Sequence, residues 1–318
     1  MSSSAQGPFN THAFGRIGYF VRLGRPLHLV GGFVFNGLGI AAAIYLGTTI
    51  DWTAAVWCQL AITSTQLMTH YSNDYFDQDA DAAVLTPTRW ASGSRVLPDG
   101  LVRPRVALIA ALFWAGIALS AAAVLAATGS TPQLTLLLLM LAIFMAWSYS
   151  SPPLQLNRNG LGEITGALLV PGLTTLLGFQ VQTGRLALLP VLAVVPLCFF
   201  QFAMLLSVNF PDVAADAQVG KRTLVVIFGP ERAAQLFLAA LTLAYLLLPV
   251  LILLGLPIQA ALAVLLTLPI AAWQAWRIRQ GAATDPNYWE ALAFWSIGLL
   301  MTAALLETIA FLILSFAG

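Results

Sequence analysis

Residues 52–81 read WTAAVWCQLAITSTQLMTHYSNDYFDQDAD. The stretch up to Asn73 contains no Asp, Glu, Lys or Arg, and at about 1.5 Å of rise per residue it reaches across a hydrocarbon core of about 30 Å. Asp74, Asp77, Asp79 and Asp81 follow it directly. A membrane-length helix closing on carboxylates decides the reading of the chain, because similar apolar lengths recur on both sides of it. They fall near 27–47, 52–73, 104–126, 133–151, 161–181, 186–209, 233–254, 257–276 and 289–316. Lipid offers no partner to an unpaired backbone group, so spanning segments are helices or closed barrels, and these stretches lack the alternation of barrel strands. With 59% hydrophobic and 8% charged residues in 318, the chain carries more apolar surface than one soluble core hides. The predicted fold class is all-α: a polytopic membrane protein with nine transmembrane helices, residues 27–318 forming a single transmembrane domain after an N-terminal segment, 1–26.

Charge sets the orientation. With the N-terminus in the cytoplasm, Arg16, Arg22, Arg25, Arg89, Arg95, Arg103, Arg105, Arg158, Lys221, Arg222, Arg232, Arg277 and Arg279 share the inner side and only Arg185 lies outside. By the positive-inside rule this predicts a cytoplasmic N-terminal segment, an odd number of spans and an external C-terminus. The expected location is a bacterial inner (plasma) membrane. The longest loops, 74–103 and 210–232, are cytoplasmic, and chemistry is expected there. A net charge of +1 gives no reason to expect nucleic acid. Cys58 and Cys198 each lie in apolar sequence, which implies neither a disulfide framework nor a thiolate metal site.

The acids form two groups. If the second span continues as a helix, Asn73, Asp74, Asp77 and Asp81 fall within an arc of about 100°, with Asp79 pointing away. By the same arithmetic Asn209, Asp212 and Asp216 lie within about 60°. Both spans run from outside to inside, so these carboxylates crowd helix C-termini, where the macrodipole disfavours negative charge. A solvated flank is better served by Lys or Arg. Mutual repulsion adds to the cost unless cations relieve it. Ligand sets made only of oxygen suit a hard cation, Mg²⁺ above all, which takes one or two carboxylates together with substrate phosphates. Arg89 and Arg95 follow the first group and Lys221 and Arg222 the second, candidates to hold a diphosphate. His70, one turn before Asp74, is a candidate to orient it. Glu163, at the start of the fifth span, reads as a helix cap or an acceptor-recognition residue.

The pattern Asn73-Asp74-x-x-Asp77-x-x-x-Asp81 resembles the first signature of the UbiA superfamily of intramembrane prenyltransferases, and Asp212-x-x-x-Asp216 resembles the second. Residues 93–100 (GSRVLPDG), 149–156 (YSSPPLQL), 160–163 (GLGE) and 220–224 (GKRTL) are most similar to the 1,4-dihydroxy-2-naphthoate prenyltransferase (menaquinone) branch. That resemblance implies a UbiA-like bundle with its active site on the cytoplasmic side. It implies Mg²⁺-dependent transfer of a prenyl group from a polyprenyl diphosphate to an aromatic acceptor. Asp77, Asp81, Asp212 and Asp216 would be catalytic, with Asn73, Asp74 and Asn209 joining them at the metal. Arg89, Arg95, Tyr149, Ser150, Lys221 and Arg222 would bind substrate, and Tyr149, Phe76 and Trp90 would face an allylic cation. Asp77→Ala and Asp212→Ala are expected to abolish turnover with stability close to wild type.

The motif pair is shared by prenylation of 4-hydroxybenzoate, of haem or chlorophyll precursors, and by intramembrane terpene cyclisation, so the acceptor stays open. An ion-coupled transporter also fits many spans with acids. Its carboxylates belong near mid-bilayer, whereas these gather at one edge beside basic residues.

Overall fold

The structure is a computed structural model describing residues 11–128 and 132–317. Among the described residues it is helical without strands. In chain order the helices are α1 Thr11–Leu23, α2 Pro26–Tyr45, α3 Trp52–Phe76, α4 Gln78–Ala83, α5 Pro104–Ala127, α6 Gln133–Ser148, α7 Gly162–Ala167, α8 Thr174–Thr183, α9 Leu188–Asn209, α10 Val213–Gln218, α11 Leu224–Phe228, α12 Pro230–Leu246, α13 Leu248–Leu253, α14 Ile258–Leu265, α15 Leu268–Arg279 and α16 Pro286–Ala317. A π-helical turn, Leu168–Leu173, joins α7 to α8 around Pro171, which has no amide to donate. Pro26, Pro104, Pro230 and Pro286 open their helices, where a missing N–H costs nothing. Asp51 caps α3 by accepting from the Ala54 amide at 3.0 Å.

Helices occupy each of the nine stretches expected to be apolar spans. Six are long and apolar enough to cross a membrane: Pro26–Tyr45, Pro104–Ala127, Gly162–Thr183, Leu188–Asn209, Pro230–Leu253 and Pro286–Phe316. The pair α14 and α15, bent by 41°, makes a seventh if it is one span. α6 has only 16 residues, and α3 is lowered in hydropathy by Gln59, Thr63, Ser64, Gln66 and Thr69. Large apolar side chains face outward around the bundle, among them Ile109, Phe113, Leu137, Leu253 and Ile313, as lipid permits and water does not.

Small residues set the spacing inside. α2 crosses α8 nearly backbone to backbone: a Cβ on Gly39 would stand 2.1 Å from the Thr175 carbonyl oxygen, and one on Gly178 would stand 2.3 Å from that of Asn36. α5 meets α3 through a buried face of alanines that includes Ala107, Ala111, Ala118 and Ala121. Such faces let helices approach where hydrophobic exclusion does not drive them together.

Residues 1–10 of the expected N-terminal segment, and the side chain of Arg16, lie outside the described residues. The remainder packs on the bundle. The Phe20 carbonyl accepts from the Tyr71 hydroxyl at 2.9 Å, Leu23 is fully buried, and the chain turns into α2 at Arg25 with φ +46°. The two motif helices also differ from the continuous helices expected. α3 stops at Phe76 and Asp77 caps it, with α4 carrying Asp81. α9 stops at Asn209 and Asp212 caps α10, because Pro211 between them cannot donate to a helical ladder. The fourth-residue bonds survive, from Asp77 to Asn73 at 2.8 Å, Asp81 to Asp77 at 2.9 Å and Asp216 to Asp212 at 2.8 Å, so each group keeps its side together.

Candidate active site

Five aspartates, Asp74, Asp77, Asp81, Asp212 and Asp216, are each less than a tenth exposed. Lys221 ties the two motifs: its Nζ lies 3.6 Å from Asp77 Oδ2 and 3.3 Å from Asp216 Oδ1. The loop that carries it is pinned on three sides. The Lys221 amide donates to the Asp216 carbonyl at 2.9 Å and the Arg222 amide to the Arg158 carbonyl at 3.0 Å. The Leu224 amide donates to Glu163 Oε1 at 2.8 Å. Burial opposes the charge on Lys221, but Asp77, Asp216, Asp81 and Asp212 outweigh it and raise its pKa.

Around the first motif, Asp77 accepts from Asn73 Nδ2 at 2.8 Å, Asn157 Nδ2 at 2.6 Å and Arg158 Nε at 3.3 Å. Ser150 Oγ accepts from the same two amides at 2.9 and 3.3 Å. Asp74 pairs with Arg25, which also donates to Asn73 Oδ1 at 3.2 Å, and accepts from the Ser94 hydroxyl. Asp79, half exposed, pairs with Arg158 away from this centre. At the second motif, Asp212 accepts from the Ser92 amide at 3.0 Å and from its hydroxyl. Asn209 Nδ2 donates to Glu163 Oε1 at 2.9 Å. The Asp81 carboxylate makes no direct hydrogen bond or ion pair among the described residues, and Asp216 Oδ2 is buried without a hydrogen-bond partner. Burial, reinforced by Asp74, pushes Asp81 up to about 7. Burial, reinforced by Asp212, pushes Asp216 up to about 6, and burial raises Asp212 too.

The five buried aspartates share three cations, Arg25, Arg158 and Lys221, and Arg158 also serves Asp79, so negative charge is left in excess. Unfilled oxygens on Asp81 and Asp216 and that residual charge fit a hard divalent cation. Among the described residues, no three His, Cys, Asp or Glu side chains converge as a ready metal cage. The seven expected ligands therefore do not surround one point. Mg²⁺ seldom requires that, since it keeps waters and substrate phosphates in its shell.

The other expected residues take differing positions around this centre. The Arg89 amide donates to Glu290 Oε1 at 2.7 Å and its guanidinium lies 5.1 Å from the Trp90 ring, away from the carboxylates. The Arg95 guanidinium holds the Asp81 carbonyl and Asp99. Arg222 is exposed and meets the site through its backbone. Partly buried Tyr149 lies beside the first motif and accepts the Asn157 amide on its carbonyl at 2.8 Å, while Phe76 packs edge-on against Trp147 and Trp90 tilts against Phe294. His70 does not bond Asp74; its ring stands 5.9 Å from that of His28. Arg25, Ser92, Ser94, Asn157 and Arg158 were missed as site residues. Each approaches from a loop or helix start distant in sequence, and of the five only Ser94 lies in a stretch, 93–100, that the resemblance singled out.

The UbiA prenyltransferase family model matches residues 33–315. The chain belongs to the UbiA prenyltransferase family. Similar to this prenyltransferase is the 1,4-dihydroxy-2-naphthoate octaprenyltransferase of Bacillus subtilis (strain 168), 25% identical over 224 residues, 70% of each chain. The bacteriochlorophyll synthase 33 kDa chain of Cereibacter sphaeroides is 27% identical over 242 residues, 74% of this chain and 75% of that one. Among solved structures, a UbiA homolog from Archaeoglobus fulgidus bound to GPP and Mg²⁺ superposes with a TM-score of 0.61 at 17% identity, covering 94% of this chain and 98% of the other. An apo UbiA homolog from Aeropyrum pernix K1 gives 0.62 at 18% identity, covering 90% and 97%. The bundle is thus a UbiA fold.

Proposed function

We propose that this UbiA prenyltransferase uses Mg²⁺ to move a prenyl group from a polyprenyl diphosphate to an aromatic acceptor, 1,4-dihydroxy-2-naphthoate or a related quinone precursor. The observation that carries this reading is the Lys221 ammonium held between carboxylates of both motifs. Arrangement of one buried cation and unfilled aspartate oxygens at one place suits a diphosphate with its metal. The ligands bound to the Archaeoglobus homolog, GPP or DMAPP with Mg²⁺, support it, and the name of the Bacillus relative supports the acceptor.

Asn73, Asp74, Asp77, Asp81, Asn209, Asp212 and Asp216 are the residues assigned to hold the metal, Asp81 and Asp216 with the most acceptor capacity free. When bound, Mg²⁺ supplies charge neutralisation for the departing diphosphate. Lys221 adds a point charge to the same anion and Arg95 a second cation at the rim. Burial of these groups makes each such interaction stronger than it is in water. Tyr149 and Ser150 line the side of the first motif, where the acceptor ring is assigned. The reading carries with it a single domain after the N-terminal segment, nine crossings, a cytoplasmic active face and residence in a bacterial inner membrane.

Purified protein in detergent, given labelled prenyl diphosphate and Mg²⁺, tests this against 1,4-dihydroxy-2-naphthoate, 4-hydroxybenzoate and a chlorophyll-type acceptor. A prenylated, decarboxylated naphthol is the expected product, stopped by EDTA and restored by Mg²⁺. Product only from the tetrapyrrole, the acceptor class suggested by the Cereibacter relative, would overturn the quinone assignment. Diphosphate release without any acceptor points to cyclisation.

A further inference from the structure

The segment Ser92-Gly93-Ser94-Arg95 touches both aspartate motifs at once. Ser92 ties both oxygens of Asp212, its amide donating to Oδ2 and its hydroxyl to Oδ1. Two residues on, Ser94 donates its hydroxyl to Asp74. Between them Gly93 lies so close to Asp81 that a Cβ would stand 2.0 Å from Oδ2. Ser92 and Arg95 have φ of +65° and +63°, in a region where side-chain-bearing residues stay only when their surroundings hold them. Ser92 is 4% exposed.

No other side chain or amide among the described residues hydrogen-bonds the Asp212 carboxylate. Two donors on its two oxygens fix its plane, and each oxygen keeps a lone pair for a further partner. We propose that Ser92 is a positioning residue for the cation site, orienting Asp212 toward metal from a loop that belongs to the other motif. The inference rests on the Mg²⁺ reading above. It goes beyond that reading by assigning to Ser92 a role in metal affinity, as distinct from anchoring its loop. Loss of a partner that orients a metal-ligating group typically costs about 10- to 100-fold in metal affinity.

Ser92→Gly is the discriminating variant. Glycine accepts a φ of +65° without strain, retains the amide bond to Asp212 and removes only the hydroxyl. Half-saturating Mg²⁺ should rise about tenfold or more, both in diphosphate release and in the Mg²⁺-dependent shift of melting temperature measured without prenyl substrate. Turnover at saturating Mg²⁺ should return close to wild type, and Ser92→Ala should show a metal defect at least as large. Unchanged Mg²⁺ dependence in Ser92→Gly, with only a lower melting temperature, overturns the proposal and leaves Ser92 as a loop anchor. So does a loss of turnover that excess metal does not repair. Wild-type protein whose melting and turnover both ignore Mg²⁺ would instead overturn the metal reading, and the proposal with it.

Discussion

The aspartates of one site differ in what metal-free protein asks of them. Asp77 is surrounded by Asn73, Asn157, Arg158 and Lys221, so its removal leaves two cations underpaired in a buried setting. Arg158 and Lys221 keep Asp79 and Asp216 as partners, so Asp77→Ala should lower stability by about 1–3 kcal/mol through the buried donors it leaves unpaired as well as abolish turnover, which revises the expectation of unchanged stability for that position. Asp81 has no direct partner and is held up to about 7. Asp81→Asn should therefore hold or raise the melting temperature at pH 8 without Mg²⁺, yet cut turnover at least about 100-fold, an effect in the range known for electrostatic groups that act on the transition state. Melting curves of the two variants, in EDTA, separate these outcomes.

The raised carboxylates also set a pH dependence. Metal binds the ionised form, and Asp81 and Asp216 take up protons as pH falls through about 7 and about 6. Half-saturating Mg²⁺ should rise steadily from pH 8 to pH 6, read by titrating the metal at each pH. The sign follows from both shifts being upward: ionised partners are complete only above them. At this scale the sequence showed the acids and Lys221, because type and spacing sufficed. Arg25 and Ser92 were not visible, since their partners stand 49 and 120 residues away and no local pattern announces them.

Among elements, the α2–α8 crossing is the tightest constraint on helix placement. Gly178→Ala drives a methyl group into the Asn36 backbone and should cost about 1–3 kcal/mol or more, lowering the melting temperature in detergent. Gly116→Ala in α5 meets nothing within 4 Å and should be neutral or gain up to about 1 kcal/mol from helix propensity. Equal melting of the two would mean that the crossing is not under steric control. Helix positions were readable because apolar runs end at Pro and Gly for plain reasons of backbone chemistry. The break at Phe210 was marked by Pro211, but the break at Asp77 was less legible. A periodicity argument continues any helix until a proline stops it, and Asp77 offers none.

At the scale of the whole molecule, charge asymmetry predicts the orientation of the bundle. If nine crossings place the α8–α9 turn outside, a cysteine at Arg185 should react with an impermeant maleimide on intact cells. A cysteine at Gln280, after α15, should react only once the membrane is opened. Reaction of both on intact cells would contradict the assigned orientation. The native cysteines, Cys58 fully buried and Cys198 partly buried, set a background that is read from the protein without either added cysteine.

Lys221 has a consequence for how ligands arrive. An ammonium that turns toward an incoming anion loosens its hold on Asp77 and Asp216, and the Asp216 oxygen it leaves then attracts a cation more strongly. Anion and cation should accordingly tighten each other's binding by the same factor, as thermodynamic reciprocity demands, so inorganic pyrophosphate should sharpen a Mg²⁺ titration of the resting protein and Lys221→Met should uncouple the two.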